Sequence, residues 1–357
     1  MSGTQAEAHS ADGGRTWYRT ACCDRLPVMR LLVLGGTEFV GRAVVEDALG
    51  RGWDVTVLHR GTRPAPKGAA VLHGDRLVPG GPAELEEGEW DAVVDTWSAA
   101  PRVVAESAGL LADRVDRYAY ISSCSVYAFP SVPGSDESWP TVDADPESEG
   151  TDYAADKRGG ELAVEAAFGD RSLFVRAGLI LGPYENIGRL PWWLNRIFRG
   201  GPFPAPGPAD LPIQYVDVRD LAAWTLDAVE ARHAGPFNLV SPPGHATMGE
   251  LIDACTATTG SDAEPVWLTP EQVAAAGVEP WSQLPVWLPP GELYDSLHGN
   301  DVSRAVDAGL RCRPVAETVA DTWEWLASIG GTAPQRPDRP VVGLPDGAEE
   351  RLLAEAR

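Results

Sequence analysis

Tyr153 and Lys157 stand four residues apart in Tyr153-Ala-Ala-Asp-Lys157, a spacing that sets a phenol and an ammonium one turn apart on one helix face. A free phenol, with a pKa of about 10, is a poor base near neutrality. A neighbouring ammonium favours the phenolate and lowers that pKa, so the pair is suited to taking and returning a proton. Such chemistry also needs a hydroxyl to orient the reacting oxygen. Ile121-Ser-Ser-Cys-Ser-Val-Tyr127 supplies candidates at the end of an apolar run.

Upstream, Leu31-Leu-Val-Leu-Gly-Gly-Thr-Glu-Phe-Val-Gly41 carries an apolar run through glycines and straight into helical spacing. A strand–turn–helix of this kind aims the first helical N–H groups at a ligand, and glycine lets a pyrophosphate approach the backbone. Gly35, Gly36, Thr37, Phe39, Val40 and Gly41 are the expected cradle residues, and Glu38, in place of a middle glycine, is expected to point to solvent. About twenty residues further on, a dinucleotide site needs a group for the adenosine ribose. The next strand ends in His59-Arg60-Gly61-Thr62-Arg63 with no acid at its tip. Arg60 suits a 2′-phosphate, which tilts the expected NAD(P) cofactor towards NADP over NAD. Asp75, after the following strand, is placed to accept a hydrogen bond from the adenine amine. An oxidised nicotinamide near Tyr153 would favour the phenolate further, and Lys157 can also hydrogen-bond the nicotinamide ribose.

The elements that must position these groups alternate. Apolar or β-branched runs at Arg30–Leu34, Asp54–Leu58, Ala70–Leu72, Asp91–Asp95, Tyr118–Ser122 and Ser172–Arg176 are interleaved with helical patterns at Phe39–Leu49, Pro101–Leu111 and Tyr153–Ala167. That alternation predicts an α/β fold, a doubly wound parallel Rossmann sheet with ligands at the carboxyl ends of its strands. Beyond about residue 200, dense proline and short helices (Met248–Thr258, Val315–Ser328) predict a smaller, mixed C-terminal substrate lobe. The expected organisation is an N-terminal flexible extension over 1–28, an NAD(P)-binding domain over 29–185, a substrate lobe with interleaved Rossmann elements over 186–330, and a Pro-rich tail with a short helix over 331–357.

Taken together these motifs resemble the short-chain dehydrogenase/reductase superfamily, in its extended branch, the NAD-dependent epimerase/dehydratase family that includes nucleotide-sugar epimerases. The likeness spans about residues 29–330. It implies that Gly35, Gly36 and Gly41 form the pyrophosphate loop, Ser123 of the Ser-Ser-x-x-Val-Tyr stretch is the catalytic serine, Tyr153 the general acid/base and Lys157 its partner. It also implies that Arg176 and Gly182-Pro183 flank the nicotinamide, and that Ile213–Ala222 re-enters the fold near the substrate lobe. The Gly-Gly-Thr-x-Phe-x-Gly loop is similar to that of divergent members, among them chloroplast stem-loop RNA-binding proteins and bacterial reductases. Cys124-Ser125 stands where sugar-nucleotide dehydratases carry an Asp-Glu pair, so 4,6-dehydration is not expected.

Composition narrows the partners. Among 357 residues, 29 basic and 52 acidic ones give a net charge of −23, a field that repels nucleic acid and anionic membranes. No run approaches the roughly 18 apolar residues of a membrane helix. Five scattered cysteines suggest neither a disulfide framework nor a metal site, and a reducing cytoplasm is expected. The expected partner is a small molecule, and a homodimer is an allowed assembly. Arg189, Arg196, Arg199 and Arg219 are available for a diphosphate, and Trp192, Trp193, Trp281 and Trp287 for stacking on a ring. The acidic loop 136–152 is read as solvated. The rival to an oxidoreductase or epimerase acting on a hydroxyl or ketone carbon of a sugar, nucleotide sugar or similar molecule is a non-catalytic Rossmann protein, either a dinucleotide-sensing regulator or an RNA binder.

Overall fold

A computed structural model describes residues 28–78 and 80–356, so the expected extension over 1–28 lies, apart from Val28, outside the described residues. Strands β1 (Arg30–Leu34), β2 (Asp54–His59), β3 (Ala70–His73), β4 (Trp90–Asp95), β5 (Val115–Ser123) and β6 (Ser172–Ala177) alternate with helices α1 (Phe39–Gly50), α2 (Pro101–Leu111) and α3 (Tyr153–Phe168). The central strands are almost wholly buried and mainly apolar, as sheets covered on both faces require. β3, at the edge, is largely exposed.

After β6 the chain leaves the sheet through β7 (Ile180–Leu181), α4 (Arg189–Phe198), β8 (Pro202–Pro206), β9 (Pro212–Ile213) and β10 (Val216–Asp217). It then returns with α5 (Val218–Glu230) and β11 (Gly235–Leu239). The seven strands lie in the order β11-β6-β5-β4-β1-β2-β3, all parallel. The order reverses between β1 and β4, the point where such sheets open a crevice for ligands. Leu34 is in register with Leu58 on one side and Asp95 on the other, so the turns after β1, β2 and β4 emerge side by side.

The two faces are covered by different helix pairs. Val44, Val45 and Ala48 of α1 bury with Leu221 and Trp224 of α5, while Val104, Ala108 and Leu111 of α2 bury with Val164 and Phe168 of α3. The remaining elements are β12 (Ala246–Thr247), α6 (Met248–Thr259), β13 (Glu264–Leu268), α7 (Pro270–Ala275), β14 (Pro280–Trp281), β15 (Leu284–Pro285), α8 (Glu292–His298), α9 (Ser303–Asp307), α10 (Val315–Ser328) and α11 (Ala348–Glu355). Most of them, with α4 and β8, enclose a separate core built on Trp193, Phe203, Leu251, Trp287 and Leu326.

Residues 331–347 join α10 to α11 as a strap. Asn195 donates to the carbonyl of Gly331, Arg336 N to that of Asn186, and Gly343 N to that of Ser282. α11 then docks by burying Ala348 and Leu352 and pairing Glu349 with the buried Arg196 at 2.6 Å. The sequence reads this stretch as a tail. Its alternating prolines conceal the fact that both ends are anchored in the second core.

No described helix is long and apolar enough to cross a membrane. Among the described residues no group of three or more His, Cys, Asp or Glu is placed to hold a metal ion.

Candidate active site

The turn after β1 is shaped by close packing. Gly35 has φ +95°, which favours glycine, and a Cβ on Gly41 would lie 2.3 Å from the Gly35 carbonyl oxygen, so α1 can begin this close to the turn only with glycine there. No side chain caps the N-terminus of α1, and no acid lies in its first turn. Its leading N–H groups, flanked by Thr37, the buried Phe39 and the partly buried Val40, therefore remain available to an anion. These features fit a dinucleotide pyrophosphate.

Glu38 departs from its expected place. Its carboxylate is drawn sideways, accepting from Arg63 Nε at 2.6 Å and from Asn186 Nδ2 at 2.8 Å. Its charge is thus met by Arg63 and tied to the loop before α4, while the side chain stays 36% exposed. Arg60 at the end of β2 is exposed, and among the described residues it makes no ion pair. Asp75 follows β3 and spends one carboxylate oxygen on the N–H of Leu77. Both sit at the carboxyl edge beside the cradle.

Ser123 ends β5, and its hydroxyl caps the following turn by accepting from Ser125 N at 3.1 Å and donating to Ser125 Oγ. α3 starts at Tyr153 because Asp152 accepts hydrogen bonds from the N–H groups of Ala154 and Ala155. α3 packs on β5 and on the turn at Cys124–Val126, which brings the serine segment and the Tyr–Lys face together. Tyr153 remains 37% exposed. Lys157 is buried, and its ammonium donates to the carbonyls of Trp97 and Ile121, each at 2.6 Å. It therefore bridges the turn after β4 to β5, next to the cradle, where Thr96 Oγ1 donates to the Leu34 carbonyl. Burial pushes the Lys157 ammonium down to about 7. Arg336 and Arg339 add like-charge repulsion, and Asp95 and Glu161 oppose it.

Beneath this face lies a polar network that sequence spacing does not disclose. Glu161, fully buried one turn beyond Lys157, accepts two hydrogen bonds from Arg176, one from Ser122 and one from Arg158. Burial alone would raise its carboxyl, but these donors hold it low. Arg176 also donates to Tyr127 Oη, which donates to Asn238 on β11. Of the two strand-end serines, Ser122 is therefore committed to the network. Arg176 is visible in the sequence only through family resemblance, whereas Glu161 could have been sought as the acid a buried strand arginine requires.

The arginines expected to grip a diphosphate separate. Arg196 is consumed by Glu349 and by the Gly200 and Pro202 carbonyls, and Arg219 by Asp217 and Asp321. Arg199 is an exposed partner of Glu349 at 3.5 Å. Only Arg189, which opens α4, faces the site. Trp193 and Trp287 are core side chains with their indole N–H groups on the carbonyls of Pro285 and Gly207. Trp192 packs edge-on against Trp193, and Trp281 is stacked by Arg189.

A family model described as the NAD dependent epimerase/dehydratase family matches residues 98–239, the span that holds Ser123, Tyr153 and Lys157. Over those residues the chain is similar to that family. It is 27% identical over 279 residues to a UDP-glucose 4-epimerase of Corynebacterium glutamicum, covering 65% of this chain and 81% of the relative. Two solved structures share the fold. One is the Bordetella bronchiseptica enzyme WbmH in complex with NAD+ (19% identity, TM-score 0.63, 85% and 99% of the two chains). The other is a UDP-glucose 4-epimerase of Thermotoga maritima with UDP-glucose (18% identity, TM-score 0.60, 84% and 99%).

Proposed function

We propose that the chain is an NAD(P)-dependent epimerase or reductase that acts on a carbinol carbon of a sugar, nucleotide sugar or similar small molecule through Ser123, Tyr153 and Lys157. The observation that carries this reading is the seat of Lys157. A buried ammonium on two carbonyls, one turn beyond an accessible phenol and beside a glycine cradle, is poised for a ribose and a phenolic oxygen. The relatives named above, two of them UDP-glucose 4-epimerases and one an NAD+ complex, support the same reading.

When bound, the dinucleotide supplies a hydride acceptor and donor. Gly35, Gly36, Gly41 and the α1 amides would hold its pyrophosphate, Lys157 its nicotinamide ribose, and Asp75 the adenine amine. Arg60, exposed after β2 and without an ion-pair partner among the described residues, would meet a 2′-phosphate, which favours NADP. Tyr153 takes the proton from the substrate hydroxyl at its own phenolic oxygen and returns it when the carbonyl is reduced. The Ser123 hydroxyl, released from Ser125, orients that oxygen. Lys157 supplies positive charge nearby.

The test is incubation with UDP-glucose or UDP-galactose and either cofactor, reading nicotinamide absorbance and the ratio of sugar epimers. Conversion that vanishes in Y153F, with cofactor binding retained, supports the proposal. Full conversion in Y153F removes Tyr153 from the chemistry.

A further inference from the structure

The strap brings to Tyr153 two charges that the proton-transfer set does not use. Arg339 lies with its guanidinium carbon 4.6 Å from the centre of the Tyr153 ring. Arg189, at the start of α4, stacks on Trp281 at 5.2 Å. The Nε of each is buried and has no hydrogen-bond partner among the described residues. Neither finds a free acid. Asp338, 3.8 Å from Arg339, already accepts two hydrogen bonds from Arg336, and Glu185 is committed to the N–H groups of Arg189 and Leu190. Burial pushes the Arg189 guanidinium down; Glu185 and Tyr153 oppose this, and Arg339 adds repulsion, so these groups share one neighbourhood. Arg336 reaches towards it as well, with Nη2 3.5 Å from Ser98 Oγ after β4.

Elsewhere the buried arginines of the described residues find acceptors: Arg76 pairs with Asp95, Arg176 with Glu161 and Arg196 with Glu349, and Arg117 donates to the carbonyls of Arg232 and His233. A guanidinium Nε buried without an acceptor is costly, and the planar donor fork, still open on its outer N–H groups, matches a carboxylate or phosphate. We propose that Arg339 and Arg189 form an oxyanion subsite beside Tyr153, so that the substrate carries a carboxylate or phosphate close to its reacting carbon. The inference rests on the proton-transfer reading of Tyr153 and deepens it by naming a substrate class. It also makes the strap a wall of the site, carrying a recognition group that lies beyond the family-matched span.

The test is equilibrium dialysis of the full chain, with and without NAD+, against D-glucuronate, inorganic phosphate and D-glucose. The expected result is saturable uptake of one of the two anions but not of glucose, weakened at least about tenfold in R339Q and in R189Q, as loss of a charged hydrogen bond implies. R339K should fall between, and R199Q should match wild type. Preference for glucuronate assigns a sugar acid, and preference for phosphate a sugar phosphate. Uptake that is absent, equal for glucose, unchanged in R339Q or abolished by NAD+ would overturn the proposal. In the last case these arginines serve the cofactor. The two possible failures separate, because lost proton chemistry shows in Y153F turnover and lost anion recognition in R339Q binding.

Discussion

The two walls of the crevice handle charge in opposite ways. On the sheet side the buried acids are matched from within: Glu161 by Arg176, Arg158 and Ser122, and Asp95 by Arg76, Tyr118 and the N–H of Trp97. On the strap side Arg189 and Arg339 are left short of acceptors. A saturated wall holds its geometry before any ligand arrives, whereas an unsaturated wall is completed by one. The contrast teaches where catalysis is pre-set and where recognition is decided.

The sharpest way to break this contrast is Y153F. Removing a general acid/base should cost about 10²–10⁴-fold in turnover, while thermal unfolding stays near wild type because the ring is partly exposed. Turnover close to wild type would place the chemistry elsewhere. Next in size is E161A, which strands Arg176 in the saturated wall. Breaking a buried pair costs about 3–5 kcal/mol, to be read by urea unfolding, and a loss below about 1 kcal/mol would show that the wall relaxes freely. G41A should cost about 1–3 kcal/mol from overpacking against the Gly35 carbonyl and should weaken dinucleotide binding in a titration.

Lys157 gives a pH test. Unfolded, the lysine keeps its proton up to about 10.5, while the native ammonium is pushed down to about 7. Between those values the unfolded chain binds more protons, so stability rises with pH through this group. Above about pH 9 the buried thiol of Cys124 and the half-buried thiol of Cys312, both pushed up to about 12, act in the opposite sense, so the clear window is pH 7–9. K157M should flatten the rise there in urea titrations, and equal slopes would mean Lys157 stays charged in the native fold. The smallest effect belongs to the outer surface. R199Q removes an exposed pair at 3.5 Å, worth at most about 1 kcal/mol, with no change in anion uptake.

What could be read from the chain was what is local. The cradle glycines, the Tyr153–Lys157 turn and the helix Pro101–Leu111 depend on neighbours in sequence, and the structure forms each of those elements within a residue or so of the expected bounds. The partners of Glu38 are not legible, because Arg63 and Asn186 reach it from separate elements. Arg196 and Arg219 looked available because Glu349 and Asp321 lie more than a hundred residues away. Arg339 escaped notice altogether, since nothing in a proline-rich stretch signals that it returns to a phenol on α3.

The return of the chain to complete the sheet has a consequence for its synthesis. β6 is flanked by β5 on one side and by β11 on the other, and β11 ends only at Leu239. A nascent polypeptide severed after the dinucleotide half would bare the rim of β6 along five paired positions, a template for adhesion between chains. A division at the boundary that the motifs suggest would therefore part β11 from the sheet it completes.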